Sequence, residues 1–385
     1  MDQHHFYGKI LLYGLSALVL SRCKIPYEPK LKSSDTNVLV VEGYIDGSAP
    51  ISLKLSRARK LTAGDTASPT RELHARVVVE DDHQDAYQLT EAGNGVYNMA
   101  TILSLNSAYQ YRVHIFSANG EEYLSDLVAV KTSPPIDTVG WAFKDDGVQL
   151  FLNTHDPANA TTYYQWSCTE TWEFKTPYDS YYEYVASNNT VIPRLVQVNT
   201  CWRSDTANLI FLGSSANLSS DVISQMPLAL IPQHDPKISV LYSVLVTQYA
   251  LDITAYNYWL SIANNTQHIG SIFDPQPNET PGNIHCVTNP AELVVGYIGA
   301  GNSSANRTFI SNGSMPNGWN LPSTCTDTLV PNDPVSLKFF FSGGLYVPIT
   351  EVVIRPGGPF VYSASIVPCV DCTLKGTNVK PFFWP

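Results

Sequence analysis

The chain has 385 residues, enough for more than one domain at ~100–200 residues each. Charged residues make up 15%, against ~25% in ordinary globular chains, and the formal net charge of −11 argues against nucleic acid or an anionic membrane surface as a partner. With 22 Tyr, 26 Pro and 23 Gly, the composition favours short strands and turns over long helices.

Residues 10–20 (ILLYGLSALVL) form an almost unbroken apolar run behind Lys9. The run is short of the ~20 residues a membrane span needs but fits a signal-peptide core of ~7–15. It ends at Leu20-Ser21-Arg22-Cys23, similar to a bacterial lipobox, in which the cysteine thiol is acylated; a small residue usually precedes that cysteine, where this chain has Arg22. Residues 1–22 are therefore read as a signal peptide and Cys23 as the lipid attachment. Residues 23–36, polar and carrying Pro26 and Pro29, read as a tether. Anchoring would rest on lipid, and stable anchoring takes more than one acyl chain.

Residues 37–133 read as an immunoglobulin-like β-sandwich. Residues 37–44 (NVLVVEGY) run into the turn signal Asp46-Gly47, 51–55 (ISLKL) and 109–116 alternate strictly, and Asn94-Gly95 and Asn119-Gly120 mark further hairpins. Pro134-Pro135 breaks the pattern. Residues 136–385 read as a larger β-sandwich-like, disulfide-bearing domain, so the fold class is all-β. Its strongest strands are 163–174 (YYQWSCTETWEF) and 238–250, and 293–298 is another. One short helix, capped by Thr254 and running to about Asn264, would bury Ala255, Tyr258, Trp259 and Ile262. Residues 270–290 form a periodless Pro- and Asn-rich loop, too long for a mere connector.

No HExxH, G-x-S-x-G, G-x-G-x-x-G or P-loop pattern occurs. Residues 296–301 (GYIGAG) are Gly-rich but follow no strand–helix unit of the Rossmann type. Glu80-Asp81-Asp82 with Asp85 lacks EF-hand spacing and reads as a solvated hairpin tip. The chain is accordingly read as non-enzymatic, with no metal or cofactor. Beyond Cys23 there are six cysteines, Cys168, Cys201, Cys286, Cys325, Cys369 and Cys372, which an exported chain would oxidise to disulfides. Cys168 and Cys201 each abut a tryptophan strand (Trp166, Trp202) and are favoured as one pair; the remaining connectivity stays open. The expected partner surface combines Tyr178, Tyr181 and Tyr182 with Phe273, Asp274, Pro275 and Pro277 of the long loop, since exposed aromatics carry much interface energy.

The opening Cys23-Lys-Ile-Pro-Tyr-Glu-Pro29 and Val40-Val-Glu-Gly-Tyr44, the central Gly270-Ser-Ile-Phe-Asp-Pro-Gln-Pro277, Gly282-Asn283 and Val295-Gly-Tyr297, and the tail Pro368-Cys-Val-Asp-Cys372 to Trp384 resemble a Bacteroidetes lipoprotein family, domain of unknown function 4249. The resemblance spans essentially the whole mature chain, with the tail as its most specific part. It implies an outer-membrane, cell-surface lipoprotein. Such proteins often work beside TonB-dependent transporters, so the expected function is an accessory or ligand-capture subunit of an uptake system; the alternative is a structural or adhesive envelope protein. The acidic run that usually accompanies surface export is reduced here to Glu28 before Asp35, which leaves the leaflet open.

Overall fold

The computed structural model describes residues 37–58, 69–267, 281–319 and 322–385. Cys23, the tether and the loop residues Phe273, Asp274, Pro275 and Pro277 lie outside them. The chain is all-β, with two α-helices among the described residues.

The first sandwich follows from alternation. In Leu39–Gly43, Leu39 and Val41 point inward; in Ser52–Arg57, Leu53, Leu55 and Arg57 do; in Gln110–Phe116, Tyr111, Val113 and Ile115 do. Period-two burial places each set on one face of its sheet. A six-stranded sheet built on Leu39–Gly43 and Ser52–Arg57 faces an eight-stranded sheet built on Arg76–Asp81, Gln110–Phe116, Glu122–Ser125 and Val128–Thr132. Between them lies one core containing Leu39, Leu53, Leu55, Val79, Tyr97 and Tyr123.

Residues within 136–385 complete this sandwich, which corrects the sequence-based boundary. Ile284–Cys286 pairs with Glu122–Ser125, Val294–Val295 runs parallel to Leu39–Gly43, and Ala300–Asn302 pairs with both Ile45–Asp46 and Val128–Thr132. Ile284, Cys286, Val294, Ile298 and Ala300 enter the first core. The first domain is therefore discontinuous in sequence.

The glycines of GYIGAG serve this return rather than a phosphate. A Cβ on Gly299 would lie 2.6 Å from the Tyr44 ring, and one on Gly301 would lie 2.0 Å from the Lys131 carbonyl oxygen. Gly282 packs on the Gly296 backbone, where a Cβ would fall 1.6 Å from the carbonyl oxygen. Beside it, Asn283 accepts from the Ile298 amide at 2.8 Å and donates to its carbonyl at 2.9 Å. Backbone cannot swing aside as a side chain can, so Gly282→Ala is expected to cost about 3 kcal/mol or more of folding stability. Urea titration checks this; a midpoint unchanged from wild type would mean that the return segment tolerates a different docking.

In the second sandwich, Ile136–Lys144, Gly147–His155 and Val222–Pro232 form a three-stranded sheet. It packs on a five-stranded sheet whose long central strands, Tyr163–Lys175 and Leu241–Leu251, are antiparallel. Val148, Leu150, Tyr164, Trp166, Tyr242 and Val244 fill the interior. Buried Gln248 accepts from Trp166 Nε1 at 2.8 Å and donates to the Pro134 carbonyl at 2.8 Å. Its own carbonyl accepts from Ser133 Oγ at 3.0 Å, so one side chain and its backbone fasten the linker to the second core.

A third, smaller core lies under the helix Pro334–Phe341 (α2), between the sheet of Thr328–Pro331, Tyr346–Val353 and Phe360–Ile366 and the hairpin of Tyr182–Val185 with Thr190–Pro193. The sequence reading expected one short helix, capped by Thr254 and running to about Asn264; it is observed as Ile253–Gln267 (α1), and α2 is the second. Asp333 caps it, accepting from the Val335 and Ser336 amides, and Pro334 follows as its first residue.

The disulfides differ from the expected framework. Cys201 bonds to Cys372 and Cys325 to Cys369, whereas Cys168 and Cys286 are free and buried. Cys201 lies opposite Phe174 in the sheet. Cys168 is six residues further along that strand, roughly 20 Å away at ~3.3 Å per residue, so the two cannot meet. Burial pushes the Cys168 thiol up to about 12, with Glu170 adding to the effect, so it behaves as a small apolar side chain.

Candidate functional site

The two sandwiches meet around a cleft of about 570 Å³. Its first wall begins at Gly43, whose φ of +148° turns the chain out of one sheet and into the other. A Cβ there would fall 2.5 Å from the Leu53 side chain. The turn delivers Tyr44 to the cleft, where its ring lies 4.8 Å from that of Tyr249.

Asp46 follows on the same wall and is buried. It accepts from the Ser48 amide at 2.8 Å and from Ser303 Oγ at 2.6 Å, so it holds the wall to the return segment.

The second wall is the outer face of the five-stranded sheet. Even-numbered residues of Leu241–Leu251 from Tyr242 to Ala250 face the core, which leaves Leu245, Thr247, Tyr249 and Leu251 facing the cleft, with Gln165 and Ala305 on neighbouring strands. Helix α1 closes one end. Asp252 caps it, accepting from the Ala255 amide at 2.7 Å, where the sequence reading had expected Thr254. Ala255 and Tyr258 are buried; Trp259 and Ile262 are half-buried against the same cluster. Trp259 and Tyr297 line the cleft beside Ala255.

Burial raises the Tyr44 phenol well above its usual range, and the Asp46 carboxylate adds to this. Tyr249 is raised by burial as well, against a hydrogen bond with Ser167, and burial pushes Tyr297 up to about 12. The three phenols therefore stay protonated at neutral pH. Among the described residues, the lining brings no histidine, cysteine or cation beside Asp46. What the cleft offers is aromatic surface with a few hydrogen-bonding groups, the make-up of a small-molecule site at a domain junction.

The expected partner surface is only partly exposed. Tyr181 is 61% exposed. Tyr178 is half-buried and donates to the Cys325 carbonyl at 3.2 Å, and Tyr182 packs edge-on to Tyr362 with centroids 5.6 Å apart. Both belong to the packing of the C-terminal module, because Tyr182 starts a paired strand rather than a loop tip. The acidic run at 80–82 is a hairpin closed by buried Asp81, which accepts from the His83 and Asp85 amides. Glu80 instead bonds to Arg112 and His114, which outweigh burial and hold its carboxyl below the usual range. Among the described residues, no group of three or more His, Cys, Asp or Glu is arranged to hold a metal ion.

Fold and cleft thus define an all-β protein of two joined sandwiches with a junction site. The family model for domain of unknown function 4249 matches residues 24–307, and the chain belongs to that family. The match takes in both walls of the cleft and the returning strands but ends before residues 308–385, so the Cys-bearing tail lies beyond it. No curated protein matches the chain. Among solved structures, the chain is similar to the interferon gamma receptor alpha chain of chicken at 10% identity, over 55% of this chain and 87% of that one. The TM-score is 0.15.

Proposed function

We propose that this protein is an outer-membrane, cell-surface lipoprotein of the Bacteroidetes type, anchored through Cys23, which captures a small ligand in the junction cleft as an accessory subunit of a TonB-dependent uptake system. The cleft carries this reading. A cleft between two separately cored sandwiches, lined by Tyr44, Tyr249, Trp259 and Tyr297 with a few hydrogen-bonding groups, has the make-up of a small-molecule site. The apolar run ending at Cys23 supports the anchor, and membership of domain of unknown function 4249 is consistent with it.

Two variants test the reading. Cys23→Ser should move the protein from the outer-membrane fraction to the soluble fraction. Thr247→Trp should fill the cleft while leaving the melting temperature within a few degrees of wild type. Material purified from native membranes is then compared by mass spectrometry. The wild type should carry a TonB-dependent transporter and a small molecule, and Thr247→Trp should keep the transporter and lose the small molecule. Retention of Cys23→Ser in the outer membrane would refute the anchor. A wild type with neither companion would favour the adhesive or structural role.

A further inference from the structure

A second cavity, of about 690 Å³, lies far along the five-stranded sheet from the junction cleft, where the strand Thr200–Thr206 meets the disulfide-bearing tail. Its floor includes Trp172, Phe174 and Pro368, and its rim carries Lys175, Arg203 and Lys375. Among the described residues, no carboxylate lines it. Nearby Lys237 is neutralised by Glu170 at 2.5 Å. Among the described residues, none of the three rim cations makes an ion pair; Arg203 only overlies the Trp172 ring, at 5.6 Å. In a chain with 34 acidic and 23 basic residues, three unpaired cations around one groove run against the overall charge.

Covalent structure holds these cations together. Cys201–Cys372 ties the strand bearing Arg203 to the turn bearing Lys375, and Cys325–Cys369 ties two further walls. Gly376 lets that turn lie flat: a Cβ would fall 2.5 Å from the Trp202 carbonyl oxygen and 2.9 Å from the Phe174 ring.

We propose that this groove binds a polyanionic saccharide, one whose sulfate or phosphate groups meet Lys175, Arg203 and Lys375 while its sugar faces rest on Phe174 and the prolines. The volume of about 690 Å³ falls within the ~300–1,000 Å³ of small-ligand sites. A peptide adding as a strand is disfavoured, because the Trp202 backbone on this edge already exchanges both hydrogen bonds with Thr377. The groove is separate from the junction cleft, so either site can stand without the other.

The test is calorimetric titration of the full mature chain with a heparin tetrasaccharide, beside neutral maltotetraose, inorganic phosphate and a hexaglutamate peptide. Binding of the sulfated tetrasaccharide should weaken at high salt, and each substitution among Lys175→Gln, Arg203→Gln and Lys375→Gln should weaken it by about tenfold. The charge-matched control Lys144→Gln/Lys338→Gln/Lys380→Gln should bind as wild type does. All these side chains but Lys144, Lys338 and Lys380 rim the groove, and all are exposed, so melting curves should stay unchanged. The proposal is overturned if the tetrasaccharide does not bind, if the control triple variant loses binding equally, or if hexaglutamate binds as tightly. Binding of phosphate alone, with no gain from the sugar, would equally overturn the saccharide assignment.

Discussion

Alanine at both Cys201 and Cys372 is expected to lower the unfolding free energy by about 5 kcal/mol, and alanine at both Cys325 and Cys369 by about 4 kcal/mol, on the chain-entropy account of cross-linking. The sequence separations of 171 and 44 residues set these values, through the conformational freedom each bridge removes from the unfolded chain. The smaller loop is nested within the larger, so the two effects should not add. Non-reducing peptide mapping should recover 201–372 and 325–369 as linked pairs. Cys168 and Cys286 should resist alkylation until the protein unfolds, since both thiols are buried. A recovered 168–201 peptide, or rapid labelling of Cys168 in the native protein, would contradict the geometry. Because the first bridge also ties the strand bearing Arg203 to the turn bearing Lys375, its removal should weaken polyanion binding more than removal of the neighbouring bridge.

The strand faces were legible in the sequence because alternation is a local signal. Residues 51–55 and 109–116 bury every second side chain as their pattern requires. The return of 284–302 was not legible. Its strands are two or three residues long, too short to show a period, and their partners lie more than 150 residues away. GYIGAG drew attention by composition, but its reason is steric: Tyr44 and the Lys131 and Val41 backbones lie against it, and only a tertiary contact reveals them.

Helix α1 was found through the spacing of Ala255, Tyr258, Trp259 and Ile262, and that same face supplies a cleft wall. Helix α2 was missed because VSLKFFF reads as a strand, although Asp333-Pro334 before it is a usable start signal. The cysteine pairing failed for a plainer reason. Adjacency to tryptophan carries no distance, whereas register places Cys168 and Cys201 well apart.

Arg57→Met is expected to cost about 3–5 kcal/mol at neutral pH, the usual penalty for stripping one partner from a buried ionic cluster. Arg57 is 5% exposed at its side chain and reaches Glu72 at 2.7 Å, Glu121 at 3.1 Å and Glu292 at 3.3 Å. Tyr123 lies 2.5 Å from Glu121 and 2.7 Å from Glu292, and Ser117 donates to Glu72. Burial alone would lower the arginine's proton affinity, but the bonds with Glu72 and Tyr123 outweigh it and hold the guanidinium charged. Removing it leaves three carboxylates facing one another, with Glu292 brought in by the return segment. The cluster therefore pins that segment to the first sandwich.

The hydrogen bond from Tyr123, aided by Asn119 and Arg57, holds Glu121 below the usual carboxylate range. A depressed folded value stabilises the protein above the unfolded pKa of ~4.3, and that contribution is lost as pH falls through the folded value. The wild type should thus weaken below about pH 4. In Arg57→Met, Glu121 loses one of the groups that hold its carboxyl down and protonates more readily as the pH falls, so the gap to wild type should narrow with acidity. Arg57→Lys keeps the charge but loses the guanidinium fork and should fall between the two. Urea titrations at pH 7.5 and 4.5 decide the matter. A gap of equal size at both values would mean that Arg57 acts through packing of its stem against Tyr123 rather than through charge.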